Sequence, residues 1–71
     1  MYYDESIEID FYIPKYLQEN IDNLIKARKE NRLDADCEEE ELISNINRAY
    51  NSKDITESQA MLLRKKYLWW C

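Results

Sequence analysis

The amino-acid sequence predicts an all-α protein: a small three-helix domain preceded by an extended or short-strand N-terminal segment. Three observations carry that expectation. The 71 residues include no glycine and a single proline, Pro14, so the residues that tight β-turns and phosphate-cradling loops depend on are almost absent. Beyond Pro14, apolar residues recur at helical spacing. Hydrophobic residues make up 45% of the chain and aromatic residues 13%, more than chains that cannot bury a core usually carry. The length allows one domain, residues 1–71. A single core of that size leaves a net stability of about 3–5 kcal/mol, to which a partner or a second copy would add.

Residues 1–13 are the N-terminal segment. Ile7, Ile9, Phe11 and Ile13 are apolar there while Glu8 and Asp10 between them are charged, the pattern of a half-buried strand. No other stretch reads as a strand, and one strand alone cannot satisfy its own backbone groups. Three arrangements follow: the segment lies extended on the helices, pairs with another chain, or is helical, since Tyr3, Ile7 and Phe11 also keep a spacing of four.

The first helix is expected over 14–32. Pro14 suits a first helical turn, where its missing N–H is not needed, and its ring drives Ile13 out of the helical region. Ile13, Leu17, Ile21, Leu24 and Ile25 fall on one narrow arc, with Gln18, Glu19, Asp22, Asn23, Lys26 and Lys29 facing away. The basic cluster Lys26, Arg28, Lys29 and Arg32 complements the dipole at its end. Asn31 to Asp36 breaks the period and is expected to be the connection. The second helix is expected over 36–52, with Leu42, Ile43, Ile46, Ala49 and Tyr50 on its inner arc. The third is expected over 56–70. Thr56 and Gln59 have the spacing of a capping box, with Ile55 and Ala60 where a hydrophobic staple would sit. Asn51 to Asp54 then form a tight turn.

Catalytic ingredients are scarce. The chain has no histidine, no glycine-rich loop and no serine or cysteine in a recognisable nucleophile motif. A pair such as Glu38 and Glu41 has the charge to hold Mg²⁺ or Ca²⁺, but no loop with the ligand spacing of such sites is present. The expectation is a protein that is not an enzyme and needs no cofactor. Cys37 and Cys71 fit neither a disulfide framework nor a zinc spacing, and reduced thiols are expected. Asp36 and Glu38 beside Cys37 oppose any activation of its thiolate by the helix N-terminus. No run approaches the roughly 20 apolar residues that span a bilayer, and Met1 to Ser6 is acidic where a secretory signal is basic and then apolar, so a cytoplasmic protein is expected.

Charge is unevenly spread. Residues 1–41 hold 13 of the 15 acids and half of the ten bases, within a net charge of −5. Such a balance repels phosphates over most of the surface, so direct nucleic-acid binding is disfavoured. Two candidate partner-binding surfaces remain. One is the carboxylate run Glu38, Glu39, Glu40 and Glu41, for which stabilisation of the second helix's first turn is the plainer account. The other is the third helix. Ala60, Leu63, Tyr67 and Trp70 share one arc, Leu62 and Trp69 project almost oppositely, and Met61 and Leu68 lie between. A helix apolar on several faces is usually central and covered on both sides. Alternatively Leu62 and Trp69, flanked by Lys65 and Lys66, form an exposed anchor for a partner or second copy.

The stretch Asp54-Ile55-Thr56-Glu57-Ser58-Gln59-Ala60-Met61-Leu62-Leu63-Arg64-Lys65-Lys66-Tyr67-Leu68, about a fifth of the chain, resembles the C-terminal helix of small acidic accessory proteins of phages and conjugative elements of low-GC Gram-positive bacteria. Inhibitors of host defence nucleases, anti-CRISPR proteins among them, are similar in size and often acidic. The same region is similar to short helical oligomerisation modules that begin Gly-x-Ile-Ser or Gly-x-Ile-Thr, except that Lys53 stands where those have Gly. Neither likeness implies a role for any one residue.

The expected function is therefore binding: an interaction protein from a mobile element that inhibits or modulates a larger protein, such as a nucleic-acid-acting enzyme whose basic channel its carboxylates occupy. The alternative is a homodimerising structural or regulatory subunit. A helix-turn-helix DNA reader using Arg64, Lys65 and Lys66 is third, opposed by the charge balance.

Overall fold

A computed structural model describes residues 3–68. The fold is all-α: helix α1 spans Lys15–Lys29, α2 spans Ala35–Asn51 and α3 spans Glu57–Tyr67, with no strand among the described residues. Pro14 sits just outside α1, at ψ 145°, and its carbonyl accepts the Gln18 amide at 2.9 Å. The ring therefore restricts the residue before it without removing a helical hydrogen bond.

Both interhelical turns close in the same way. After α1, the Asn31 amide donates to Arg28 O at 3.2 Å and the Arg32 amide to Ala27 O at 2.9 Å. After α2, the Lys53 amide donates to Tyr50 O at 3.1 Å and the Asp54 amide to Ala49 O at 2.9 Å. These are Schellman closures, and each needs a left-handed residue just past the helix. Glycine ordinarily fills that place. Here Asn31 at φ 53° and Lys53 at φ 63° take it instead.

Helix bounds differ from the sequence reading where these turns act. The α1 closure ends the helix at Lys29, so Arg32 lies beyond it and turns to Asp34, Nε to Oδ1 at 2.9 Å, rather than serving the helix end. Lys26, Arg28 and Lys29 do occupy the last turn. Helix α2 starts a residue early, at Ala35. Asp34 stands at its N-cap position without a side-chain cap, because its carboxylate is engaged by Arg32. The start of α3 is as expected: the Gln59 amide donates to Thr56 Oγ1 at 3.1 Å and the Thr56 amide to Gln59 Oε1 at 2.9 Å, completing the capping box. The extension of the third helix to residue 70, with Trp69 and Trp70, lies outside the described residues.

Leu17, Ile21 and Leu24 of α1, Leu42, Ile46 and Ala49 of α2, Ile55 of the second turn, and Ala60, Leu63 and Tyr67 of α3 form one buried core. Ile43 and Tyr50 do not join it as their arc suggested; they are 43% and 42% exposed. Each lies one residue, or 100°, round from Leu42 or Ala49, on the flank of α2 that neither neighbour covers. Helix α2, not α3, takes the middle position, packing against α1 on one side and α3 on the other. Helices α1 and α3 meet through the shared core and through Arg28, which donates to Tyr67 O at 2.8 Å. That segment has a turn at Glu5 and Ser6 and bends at Ile7 and Phe11, and it is neither strand nor helix. Ile9, Phe11 and Ile13 are half-buried against the core, while Glu8, Asp10 and Tyr12 face solvent. Of the three arrangements, it is the one in which the segment lies on the helices.

Candidate interaction surfaces

The carboxylate run on α2 divides in two. Glu38 and Glu39 face α1 and are half-buried. The Glu38 carbonyl and its Oε2 both face Asn20 Nδ2 at 3.4 Å, and Asn20 Oδ1 accepts from Asn45 Nδ2 at 2.8 Å. Asn20 is 4% exposed, so this amide network satisfies a polar group placed at the α1–α2 seam. Glu39 Oε1 receives Arg28 Nη2 at 2.7 Å. Glu40 and Glu41 are exposed instead, and among the described residues they have no ion-pair partner. The dipole account covers Asp36 and Glu38, the acids in the first turn of α2. It does not reach Glu40 and Glu41, which lie in the second turn.

Glu41 opens onto a polar groove between α1 and α2, lined also by Tyr16, Glu19, Asn45, Arg48 and Asp54, with a volume near 510 Å³. Tyr16 donates its hydroxyl to Asp54 Oδ2 at 3.0 Å while the Arg48 guanidinium lies 5.9 Å from its ring centroid. Desolvation, then the hydrogen bond to Asp54 and its charge, hold the Tyr16 phenol above its ordinary pKa.

The anchor suggested on α3 is only partly present. Leu62 is half-buried and Met61 is 38% exposed; with Glu57 and Ser58 they line a shallow depression. Lys65 is exposed beside them. Trp69 falls outside the described residues. Lys66 is a correction: expected to flank the anchor in solvent, it is 8% exposed, with its ammonium turned onto the N-terminal segment and away from Leu62. Position 66 follows Leu63 by three residues, next to the buried arc, where a cation is tolerated only with partners such as carbonyls and aromatic rings.

Arg28 is the residue whose role the sequence least announced. Read as a dipole-complementing base, it donates Nη1 to Tyr67 O at 2.8 Å as well as Nη2 to Glu39. Cys37 is an exposed free thiol. Among the described residues, no group of three or more His, Cys, Asp or Glu has the geometry to hold a metal ion, and no helix is long and apolar enough to cross a membrane. No protein-family model, curated protein or solved structure matches the chain.

Proposed function

We propose that this protein is a non-catalytic interaction protein that binds a larger protein with a basic, nucleic-acid-handling surface and inhibits or modulates it, in the manner of mobile-element inhibitors of host defence nucleases. The observation that carries this reading is the exposed, uncompensated pair Glu40 and Glu41 on α2, in a chain of net charge −5. Carboxylates that balance a helix dipole or an internal base have a structural reason to be there. These two have neither, and carboxylates at helical spacing match the charge of a phosphate backbone that a basic channel is built to hold.

A homodimerising subunit is the second reading, favoured by Met61 and Leu62 on the outer side of α3. Affinity capture with the tagged protein from cells that carry it, run at low and at high salt, separates the two. The interaction reading expects a nucleic-acid-acting protein that is retained at low salt and displaced by salt or by competing DNA or RNA, as screened attraction requires. Recovery of the protein with only its own copies would overturn it in favour of the dimer.

A further inference from the structure

Among the described residues, every hydrogen bond between the N-terminal segment and the helical body runs through one residue, Lys66. Its main-chain carbonyl accepts the Asp4 amide at 2.8 Å. Its ammonium donates to Asp4 O at 3.0 Å and to Ile7 O at 2.6 Å. The same ammonium lies 4.8 Å from the Tyr3 ring centroid and 5.7 Å from that of Tyr67, and the two rings are 5.7 Å apart. The turn that presents these carbonyls is shaped locally, by Asp4 Oδ1 accepting the Ser6 amide at 2.9 Å. From Glu8 to Ile13 the main chain makes no hydrogen bond to any described residue. What else holds the segment is the half-buried apolar row Ile9, Phe11 and Ile13, and Tyr3, which lies over α1 beside Ile25.

We infer that residues 3–13 form a displaceable strap, latched by Lys66, which opens as a unit while the three-helix body stays folded. The argument is one of unequal connection. The helices are joined by a shared core and by the Asn20 and Arg28 networks, whereas the strap is joined by one latch and four half-buried side chains. Segments with few buried contacts and few internal hydrogen bonds open at lower free energy than the core. Opening leaves no stranded charge, because Tyr3, Asp4 and Ile7 are themselves what covers the Lys66 ammonium. It bares Ile25 and Tyr67, the body residues beside Tyr3, and carries the already exposed Glu5, Glu8 and Asp10 off the body. The latch does not depend on which partner the protein binds.

Water-exchange NMR on the full chain in a urea series tests this. The Asp4 amide is expected to exchange through an opening of low urea dependence, well before the Leu63 amide, whose exchange follows global unfolding. Lys66→Met keeps the stem and removes the ammonium. It is expected to speed Asp4 exchange about tenfold or more, the factor that loss of hydrogen bonds from a charged donor implies, with helical circular dichroism and a single unfolding transition retained. Equal protection and equal urea slope for Asp4 and Leu63 in the wild type would overturn the strap, whatever the variant does. A Lys66→Met protein that leaves Asp4 exchange unchanged, or that loses its helices with the strap, would overturn the latch.

Discussion

Arg28 on α1 donates through Nη1 to the main-chain carbonyl of Tyr67, the last residue of α3, at 2.8 Å. Its other terminal nitrogen meets Glu39 on α2 at 2.7 Å. One guanidinium thus joins all three helices at the end of the bundle where α3 stops. A planar fork with several fixed donors can span a carbonyl and a carboxylate at once, and a side chain only 11% exposed does so largely out of water.

Removing that fork should be costly. Arg28→Met is expected to lower stability by about 2 kcal/mol or more, because hydrogen bonds from a charged donor are lost and partly buried acceptors are left behind. Arg28→Lys should recover little, since a single ammonium cannot reach both acceptors. Glu39→Gln should cost less than about 1 kcal/mol, its side chain being 39% exposed. Urea denaturation midpoints decide the matter. Equal losses for Arg28→Met and Glu39→Gln would mean that the bond to Tyr67 contributes nothing.

The two left-handed positions make a contrasting pair. Lys53 at φ 63° carries a Cβ where glycine would have none. Lys53→Gly is expected to stabilise the protein by roughly 0.5–1 kcal/mol, the relief of that clash being partly offset by the freer unfolded chain. Asn31→Gly should change little, because asparagine tolerates this region. A lower denaturation midpoint for Lys53→Gly would show that the lysine side chain contributes something the turn geometry does not reveal.

That lysine also marks how far the sequence could be read. The capping box at Thr56 and Gln59 was legible because both partners lie within one turn and their spacing is the motif. The inner arcs of α1 and α2 were legible through Leu17, Ile21, Leu24, Leu42 and Ile46, since apolar periodicity reports which side is covered. The turn over Asn51 to Asp54 was legible from the cap that follows it, but the end of α1 was not, because a glycine-free closure at Asn31 carries no compositional signal. Nor was the division of Glu38 to Glu41. Four identical residues differ only in which of them face α1, and that follows from how two helices pack. Lys66 and Arg28 escaped for the same reason: their partners are carbonyls of Asp4, Ile7 and Tyr67, groups that every residue has and no sequence pattern singles out.

Tyr67 supplies a pH test. Burial, then the neighbouring Tyr3 and Asp22, raise its phenol above the ordinary value of 10.0. The folded state therefore holds this proton more tightly than the unfolded chain does. Its stabilising contribution is complete below pH 10.0 and is lost as pH rises through the higher folded value. Denaturation midpoints measured from neutral to strongly alkaline pH are expected to fall from about pH 10 upward. Tyr67→Phe should flatten part of that fall, and an identical alkaline profile for the variant would mean that other phenols or the lysines govern it.

The functional reading turns on separating the two halves of the carboxylate run. Glu40→Gln with Glu41→Gln should leave stability within about 0.5 kcal/mol, as for exposed residues without partners. Glu39→Gln instead disturbs the Arg28 node. If the exposed pair meets a basic channel, the double change should weaken binding to the captured partner by roughly tenfold per charge, since each desolvated charge pair contributes about 1.5 kcal/mol or more. The salt dependence of binding should become shallower by the same loss of charges. Leu62→Ala is the matching control, because an apolar contact on α3 would lose affinity there with little change in salt dependence. Titration calorimetry at several salt concentrations distinguishes the cases. Affinity that survives the loss of Glu40 and Glu41, stays insensitive to salt and falls with Leu62→Ala would remove the acidic surface from the mechanism and place the contact on the outer side of α3.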